Sequence, residues 1–380
     1  MPLSQIAFAP RVRKSPFYEA TLRHGAKAFT VYNHMAMPLW FEGPLAEYWR
    51  LVEHVTMWDV AAERQVEIEG PDAARLTQML TPRDIGNLEP GQCRYVLITD
   101  ENGGVMNDPV LLKLSETKFW LSLADSDVLL FAKGVAAAGG YDVAIREPDV
   151  SPMQVQGPKA VDVMADLFGE WIGDLRYFRF RETELDGIPV VVSRTGWSSE
   201  RGYEIFLRDG TRGDELWEKV ATAGKPYNIG PAAPNQIRRM EGGMISWGTD
   251  CTLENNPYEL GLGRLVKLDG GFDFVGKAAL ARIAEEGVKR RLVGLSLDGA
   301  PLKGSNEDFW PVIAGDQAVG HVTSAVHSPR LEMNMAMAFI DLPHDAKGTR
   351  LSVSTDQGFR GASVVDLPFW DPEKVITRST

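Results

Sequence analysis

A chain of 380 residues is longer than one hydrophobic core usually serves, so two or three domains sharing cores or interfaces are expected. Its 44% hydrophobic and 24% charged residues describe a folded globular protein, and no apolar run approaches the roughly 20 residues of a membrane-spanning helix, which excludes an integral membrane protein of that kind. A net charge of −12 repels phosphate backbones and argues against nucleic acid as a partner, leaving a small molecule held by local side chains.

In chain order, the N-terminal MPLSQIAFAPRVRKSPF carries basic residues with no apolar segment after them; no secretory signal is expected, and the cytoplasm is the expected compartment. An irregular arm leads to a helix over 17–24 and a strand over 28–32. The next stretch packs Tyr32, His34, Trp40 and Phe41 close together, too aromatic for a surface loop and suited to a core or pocket. A helix over 44–54, a strand over 65–68 and a helix over 72–81 opened by Pro71 follow. Residues 92–113 read as a hairpin turning on DENGG. Its second strand contains Asn107-Asp108-Pro109, and a proline that removes a ladder donor marks an edge or bulge where Asp108 faces an opening. A turn-proximal Asp satisfied by backbone amides fits the same residues.

A strand over 119–122, a helix over 125–138 ended by Gly139-Gly140, and strands over 142–145 and 153–156 come next. GPKAVDVMADLF then repeats the character of GPDAARLTQML, each after a strand, which predicts an internal repeat of a strand-to-helix unit. Strands over 176–180 and 188–192 lead into VVSRTGWSSERGYEIF at 191–206, two strands around a glycine-containing tip that hold Trp197 near Glu204. A carboxylate accepting two parallel hydrogen bonds beside a flat aromatic face suits the edge of a pterin or purine. An ordinary hairpin with an exposed Glu and a core Trp remains the other reading of this stretch alone.

A helix over 234–242 presents Arg238, Arg239 and Glu241 before a Gly-rich loop with Met244 and Trp247. The planar fork of Arg239 suits a ligand carboxylate or ring oxygen, or equally an internal pair with Glu241 or another acid. After a helix over 277–286, short strands separated by Gly, Pro and Asp describe a small antiparallel barrel or sandwich, giving domains at 1–285 and 286–380. The two cysteines, Cys93 and Cys251, form no CxxC pair and the six histidines show no ligand spacing, so neither disulfides nor a metal is expected. GxGxxG, GxxxxGKS/T, GxSxG and HExxH are absent from the positions where each would carry its chemistry.

The order QGPKA, RTGW…GYEIF, IRRMEGGMISWGTD…NPYELGLG and GHVTSAVHSPRLEMNMAMAFI resembles, end to end, the glycine-cleavage T-protein (aminomethyltransferase) family of tetrahydrofolate enzymes. The resemblance implies an α+β fold of two interleaved α/β folate-binding subdomains followed by a C-terminal antiparallel β-barrel. It implies tetrahydrofolate as cofactor, with Glu204 gripping the pterin and Trp197, Arg239, Tyr95, Tyr203 and Met244 around it. Asp108 falls on the second acid of the family's paired acids, and Asn107 replaces the first. Tyrosines of two family motifs are Trp197 and Trp247 here. One carboxylate lost and two tryptophans gained favour a permanent cation over a lipoyl-bound amine. RKSPFYEATLRHGAKAFTVYNHM, ENGGVMNDPVLLKLSE and EPDVSPMQVQGP resemble a branch of the family that demethylates dimethylsulfoniopropionate. The implied reaction moves a methyl group from this small sulfonium to tetrahydrofolate, giving 3-methylmercaptopropionate and 5-methyltetrahydrofolate. Asp108 and Asn107 are the expected catalytic pair, and Trp171, Trp247, Tyr32 and His34 the expected substrate contacts, since a sulfonium is recognised by aromatic faces. Other folate-dependent demethylases acting on methoxyaromatics or methylated amines, a glycine-cleavage aminomethyltransferase, and a folate-binding protein without catalysis are the alternatives. Monomer and homodimer both stay open.

Overall fold

The computed structural model describes residues 9–379; the first eight residues of the expected arm lie outside them. Two sheets and a barrel form the scaffold. Gln65–Glu69 stands in a five-stranded antiparallel sheet between Ala144–Arg146 and Lys118–Ser122, and the sheet continues through Val110–Ser115 to Gln92–Tyr95. The six-stranded sheet runs Phe180–Leu185, Ile188–Ser193, Gly202–Leu207, Ser151–Gln156, Val55–Asp59 and Ile229–Ala232, antiparallel except for the last pair.

Period-two alternation gives each sheet two different faces. The outer face of the larger sheet, with Met153, Val155, Val190, Val192, Ile205 and Leu207, is covered by Ala160–Phe168 and by Gly213–Gly224, a helix not assigned from the sequence. Helices Ala73–Leu80 and Val128–Gly139 cover the outer face of the smaller sheet. The inner faces meet through Cys93, Leu112, Trp120, Val191 and Phe206, with the Trp120 and Phe206 ring centroids 6.3 Å apart. Each fully buried aliphatic or aromatic side chain here contributes about 1.5–3 kcal/mol.

The internal repeat is present in both sheets. Gln65–Glu69 passes through Gly70-Pro71 into Ala73–Leu80, and Ser151–Gln156 through Gly157-Pro158 into Ala160–Phe168. Gly70 has φ +146° and Gly157 φ +129°, and a Cβ on either would lie 2.5 Å from Asp142 O or 2.6 Å from His54 O. Only glycine allows that turn against a neighbouring backbone.

Several boundaries differ from expectation. The hairpin over 92–113 is two ladders: Tyr95 pairs with Val110, pairing lapses, and Ile98–Thr99 pairs with Val105–Asn107 in a separate small sheet. Pro109 lies at the break, accepting from Val96 N at 3.0 Å while offering no N–H of its own. The strand expected over 176–180 is displaced to Phe180–Leu185, because Phe178 takes φ +60°. Helix Lys277–Glu286 ends before a closed six-stranded antiparallel barrel that begins at Arg290–Leu297 and closes against Gly358–Val365. Met335, Met337 and Val326 of the barrel pack on Tyr48, Ile237 and Met240, so helix Gln236–Glu241 is held where the barrel meets the larger sheet.

Candidate active site

A cleft of about 2040 Å³ opens where the two inner sheet faces part and the barrel approaches. Glu204 projects into it from the middle of the larger sheet, 4% exposed, with Gln154 and Ser193 as its cross-strand partners. Its carboxylate accepts from Gln154 Nε2 at 2.9 Å and from Thr195 Oγ1. Burial pushes the Glu204 pKa up, and the two hydrogen bonds work against that rise. Gln154 Oε1 accepts from the backbone of Trp197 at 3.4 Å, which ties the aromatic to the acid. One register step away Gln156 braces the same loop. It donates to Thr195 O at 3.3 Å and Tyr203 O at 3.2 Å, and accepts from Ser198 Oγ at 2.5 Å. A Cβ on Gly202 would come within 2.0 Å of Gln156 Oε1, and one on Gly196 within 2.2 Å of Gln156 Nε2.

The facing wall comes from the interrupted hairpin. Tyr95 donates its hydroxyl to Asp108 Oδ2 at 2.9 Å, and burial raises the Asp108 pKa to about 7 despite that bond. Glu63 enters from the turn that carries the chain from strand Val55–Asp59 of one sheet to strand Gln65–Glu69 of the other. It is half-buried, and its carboxylate has no hydrogen-bond or ion-pair partner among the described residues. Burial first, then the charges of Glu204 and Asp108, push its pKa well up. Tyr32 is held in the phenol form by burial and by the charges of Glu63, Asp108 and Asp125.

The third wall is the segment after helix Gln236–Glu241. Arg239 is 2% exposed and bound inside the protein: Nε donates to Gln236 Oε1 at 2.8 Å, Nη1 to Met244 O at 3.0 Å and to Asp250, and Nη2 to Ser324 Oγ at 2.7 Å. Asp250 in turn accepts from Ser246 N at 3.0 Å, Thr323 Oγ1 at 2.5 Å and Ser324 Oγ at 2.6 Å, joining the Gly-rich loop to the barrel. Its partner is therefore Asp250; Glu241 instead accepts from Tyr48 at 2.7 Å and Ser328 at 2.6 Å. Trp247 donates Nε1 to Val105 O at 3.0 Å, and Arg239 Cζ lies 6.0 Å from the Trp197 ring centroid.

Tyr32, Tyr95, Asp108, Trp197, Glu204, Arg239, Met244 and Trp247 thus line one cleft. The other four residues named from the sequence do not. Tyr203 points to the opposite sheet face from Glu204, as its neighbour in a strand must, and its hydroxyl donates to Ile172 O at 3.3 Å within the outer core. Trp171 packs on the same outer side, against Phe168 and beneath Arg181, whose Cζ is 4.7 Å from the ring centroid. His34 is exposed at the tip of the hairpin Ala28–Tyr32/Met35–Trp40, where Asn33 and His34 both take positive φ, +48° and +62°, as a two-residue turn demands. Asn107 is fully buried and spent on the neighbouring loop: Nδ2 donates to Ala124 O at 3.0 Å and Ser126 Oγ at 2.8 Å, and Oδ1 accepts from Ala124 N at 3.1 Å. Sequence reasoning missed Glu63, Gln154, Thr195 and Asp250. Pairing of the 151–156 strand with 202–207 would have found Gln154; Glu63 stands in an aperiodic turn, and its only sequence signal is an acid two residues before the strand of the first repeat unit.

Comparison with known proteins gives a consistent set of likenesses. Residues 17–270 match the family model of the GCVT N-terminal domain, and residues 290–371 that of the glycine cleavage T-protein C-terminal barrel domain. The chain is 44% identical over 95% of its length, and 98% of the relative's, to a dimethylsulfoniopropionate demethylase of Ruegeria pomeroyi. It is 31% identical over 94% of its length, and 97% of the relative's, to an aminomethyltransferase of Symbiobacterium thermophilum. The crystal structure of glycine cleavage system aminomethyltransferase T from Bartonella henselae superposes with a TM-score of 0.84 over 94% of this chain and 98% of that one, at 24% identity, a likeness of fold.

Proposed function

From the premise that the chain belongs to the glycine cleavage T-protein family, we propose that it is a tetrahydrofolate-dependent methyltransferase that demethylates dimethylsulfoniopropionate, yielding 3-methylmercaptopropionate and 5-methyltetrahydrofolate. The observation that carries the donor assignment is 44% identity over 95% of the chain to a dimethylsulfoniopropionate demethylase, against 31% to an aminomethyltransferase. The chemistry of the cleft supports it: acidic side chains and aromatic faces suit a cation without an N–H, and no cation there is needed to stabilise a leaving group that departs as a neutral thioether.

The residues present fit a reduced pterin. Glu204 is a buried carboxylate held in place by Thr195 and Gln154, with free lone pairs on the cleft side for two parallel N–H donors. Trp197, fixed through Gln154, supplies a flat wall beside it. Bound tetrahydrofolate supplies a ring nitrogen as methyl acceptor. Tyr32, Trp197 and Trp247 turn aromatic surface to the space where the sulfonium would lie. Asp108, with its pKa of about 7, takes up a proton at Oδ in the neutral range, and the Tyr95 hydroxyl keeps that carboxylate oriented. Catalysis then rests on orientation and exclusion of water. A cytoplasmic setting goes with this function and is supported by Cys93 and Cys251, both buried free thiols.

The test is incubation of the purified protein with tetrahydrofolate and, separately, the sulfonium, a methoxyaromatic acid and a methylated amine, reading 5-methyltetrahydrofolate. Product from the sulfonium is expected. Product from the methoxyaromatic or the amine alone would overturn the donor assignment.

A further inference from the structure

Three acidic side chains, Glu63, Asp108 and Glu204, line the cleft, the charges of Glu204 and Asp108 raise the proton affinity of Glu63, and their protein partners divide the three. Glu204 is engaged by Gln154 and Thr195, and Asp108 by Tyr95. Glu63 is engaged by nothing among the described residues. No cation among the described residues pairs with it. Its own neighbour Arg64 is turned to Glu147, and Arg239, one of several arginines lining the cleft, is spent on Asp250. The groups that act on Glu63 are Glu204 from the larger sheet and Asp108 from the interrupted hairpin, while Tyr32, from the aromatic hairpin, feels the charge of Glu63 together with that of Asp125. A half-buried carboxylate without a countercharge is costly in the free protein and becomes favourable when a cation arrives.

We infer that Glu63 is a specificity-determining residue: its free carboxylate faces the sulfonium and makes the cleft choose a cationic methyl donor over a neutral molecule of the same shape. Resting on the proposed donor, this assigns the choice of charge to one side chain outside the pterin-binding set. The aromatic walls would hold a cation and a branched alkane with a smaller difference, since cation–π attraction at partly exposed rings is worth less than a facing charge in a site of low dielectric. Burial and the two neighbouring acids favour the protonated form of Glu63 when the cleft is empty, so cation binding favours proton release and weakens as pH falls.

The probe is 4-methylpentanoate, which replaces the positive sulfur of the donor by a neutral CH and keeps its carboxylate. With folate-loaded protein, KM for the sulfonium and the competitive Ki of 4-methylpentanoate give a selectivity ratio Ki/KM. In Glu63→Gln that ratio is expected to shrink about tenfold or more, while the Kd for tetrahydrofolate holds steady; Glu63→Asp is expected to retain most of the ratio. In the native protein the ratio is expected to fall as pH is lowered from about 9 to about 6, a readout that needs no variant. A ratio unchanged in Glu63→Gln, or two constants that rise together, would overturn the inference and leave the methyl donor as proposed. Absence of sulfonium turnover in the native protein, with turnover of another donor, would overturn the proposed donor itself and so be told apart.

Discussion

Glu204 should affect binding and stability in opposite directions. In Glu204→Gln the side chain keeps its shape: Oε1 can still accept from Gln154 Nε2, and the new amide can donate to Thr195 Oγ1, which has Ser193 Oγ at 2.6 Å as a further partner. What is lost is one acceptor and the charge behind both hydrogen bonds to the ligand. Hydrogen bonds to charged groups contribute about 1.5–3 kcal/mol each, so a net loss of about 3 kcal/mol, or about a hundredfold in Kd for tetrahydrofolate, is expected. Stability moves the other way. The folded-state pKa of Glu204 is raised by burial, so its favourable protonated form is fully present below the unfolded value near about 4.3, and that contribution is lost as pH rises through the folded value. Ionised Glu204 therefore destabilises the ligand-free protein at neutral and alkaline pH, and the Gln variant should melt at the same temperature or higher, with the difference closing as pH falls. Calorimetric titration with tetrahydrofolate under anaerobic conditions and thermal unfolding across pH measure the two effects. A Kd changed by less than about threefold in a folded variant would refute the role given to this carboxylate.

Asp108, at about 7, should set an ionisation in the pH profile of kcat/KM, and Tyr95→Phe should move it upward, because the Tyr95 hydrogen bond favours the ionised acid; a profile unmoved by Tyr95→Phe would detach the limb from Asp108. Asp250→Ala should destabilise the protein by about 3–5 kcal/mol in denaturant unfolding, since it leaves Arg239 buried without its countercharge and removes the carboxylate to which Thr323 and Ser324 donate; a loss under about 1 kcal/mol would contradict this. Gly202→Ala forces a Cβ against Gln156 Oε1 and should cost about 1–3 kcal/mol and weaken tetrahydrofolate binding by displacing the 195–198 loop, measured by unfolding and titration; an unchanged Tm and Kd would mean that Gln156 yields freely.

The two repeat units and the terminal barrel were legible because glycine, proline and apolar spacing are local signals: the Gly-Pro turns at 70–71 and 157–158 stand at the same point of strand and helix in both sheets. The same local rules, applied strictly, also separate Tyr203 from Glu204, since adjacent strand residues take opposite faces, and put Asn33-His34 at a hairpin tip. Family resemblance had joined Tyr203 to the site, and the aromatic clustering around Tyr32 had already pointed His34 to a core or pocket. What no local rule could supply was the partner of each polar group. Asn107 and Asp108 look equivalent in sequence, yet Asn107 is used up on the 124–126 loop while Asp108 faces the cleft, because Asn107 ends one ladder and pairing lapses at Asp108-Pro109 before it resumes at Val110. Glu63 has no periodic context at all, and it matters only because the turn that carries it crosses from one sheet to the other and comes out beside side chains from positions 108 and 204. The cleft is therefore a property of how three cores meet. Alternation within each strand decides which side chains are offered to that junction, and competition for hydrogen-bond partners decides which of those offered, Glu63 foremost, remain free for a ligand.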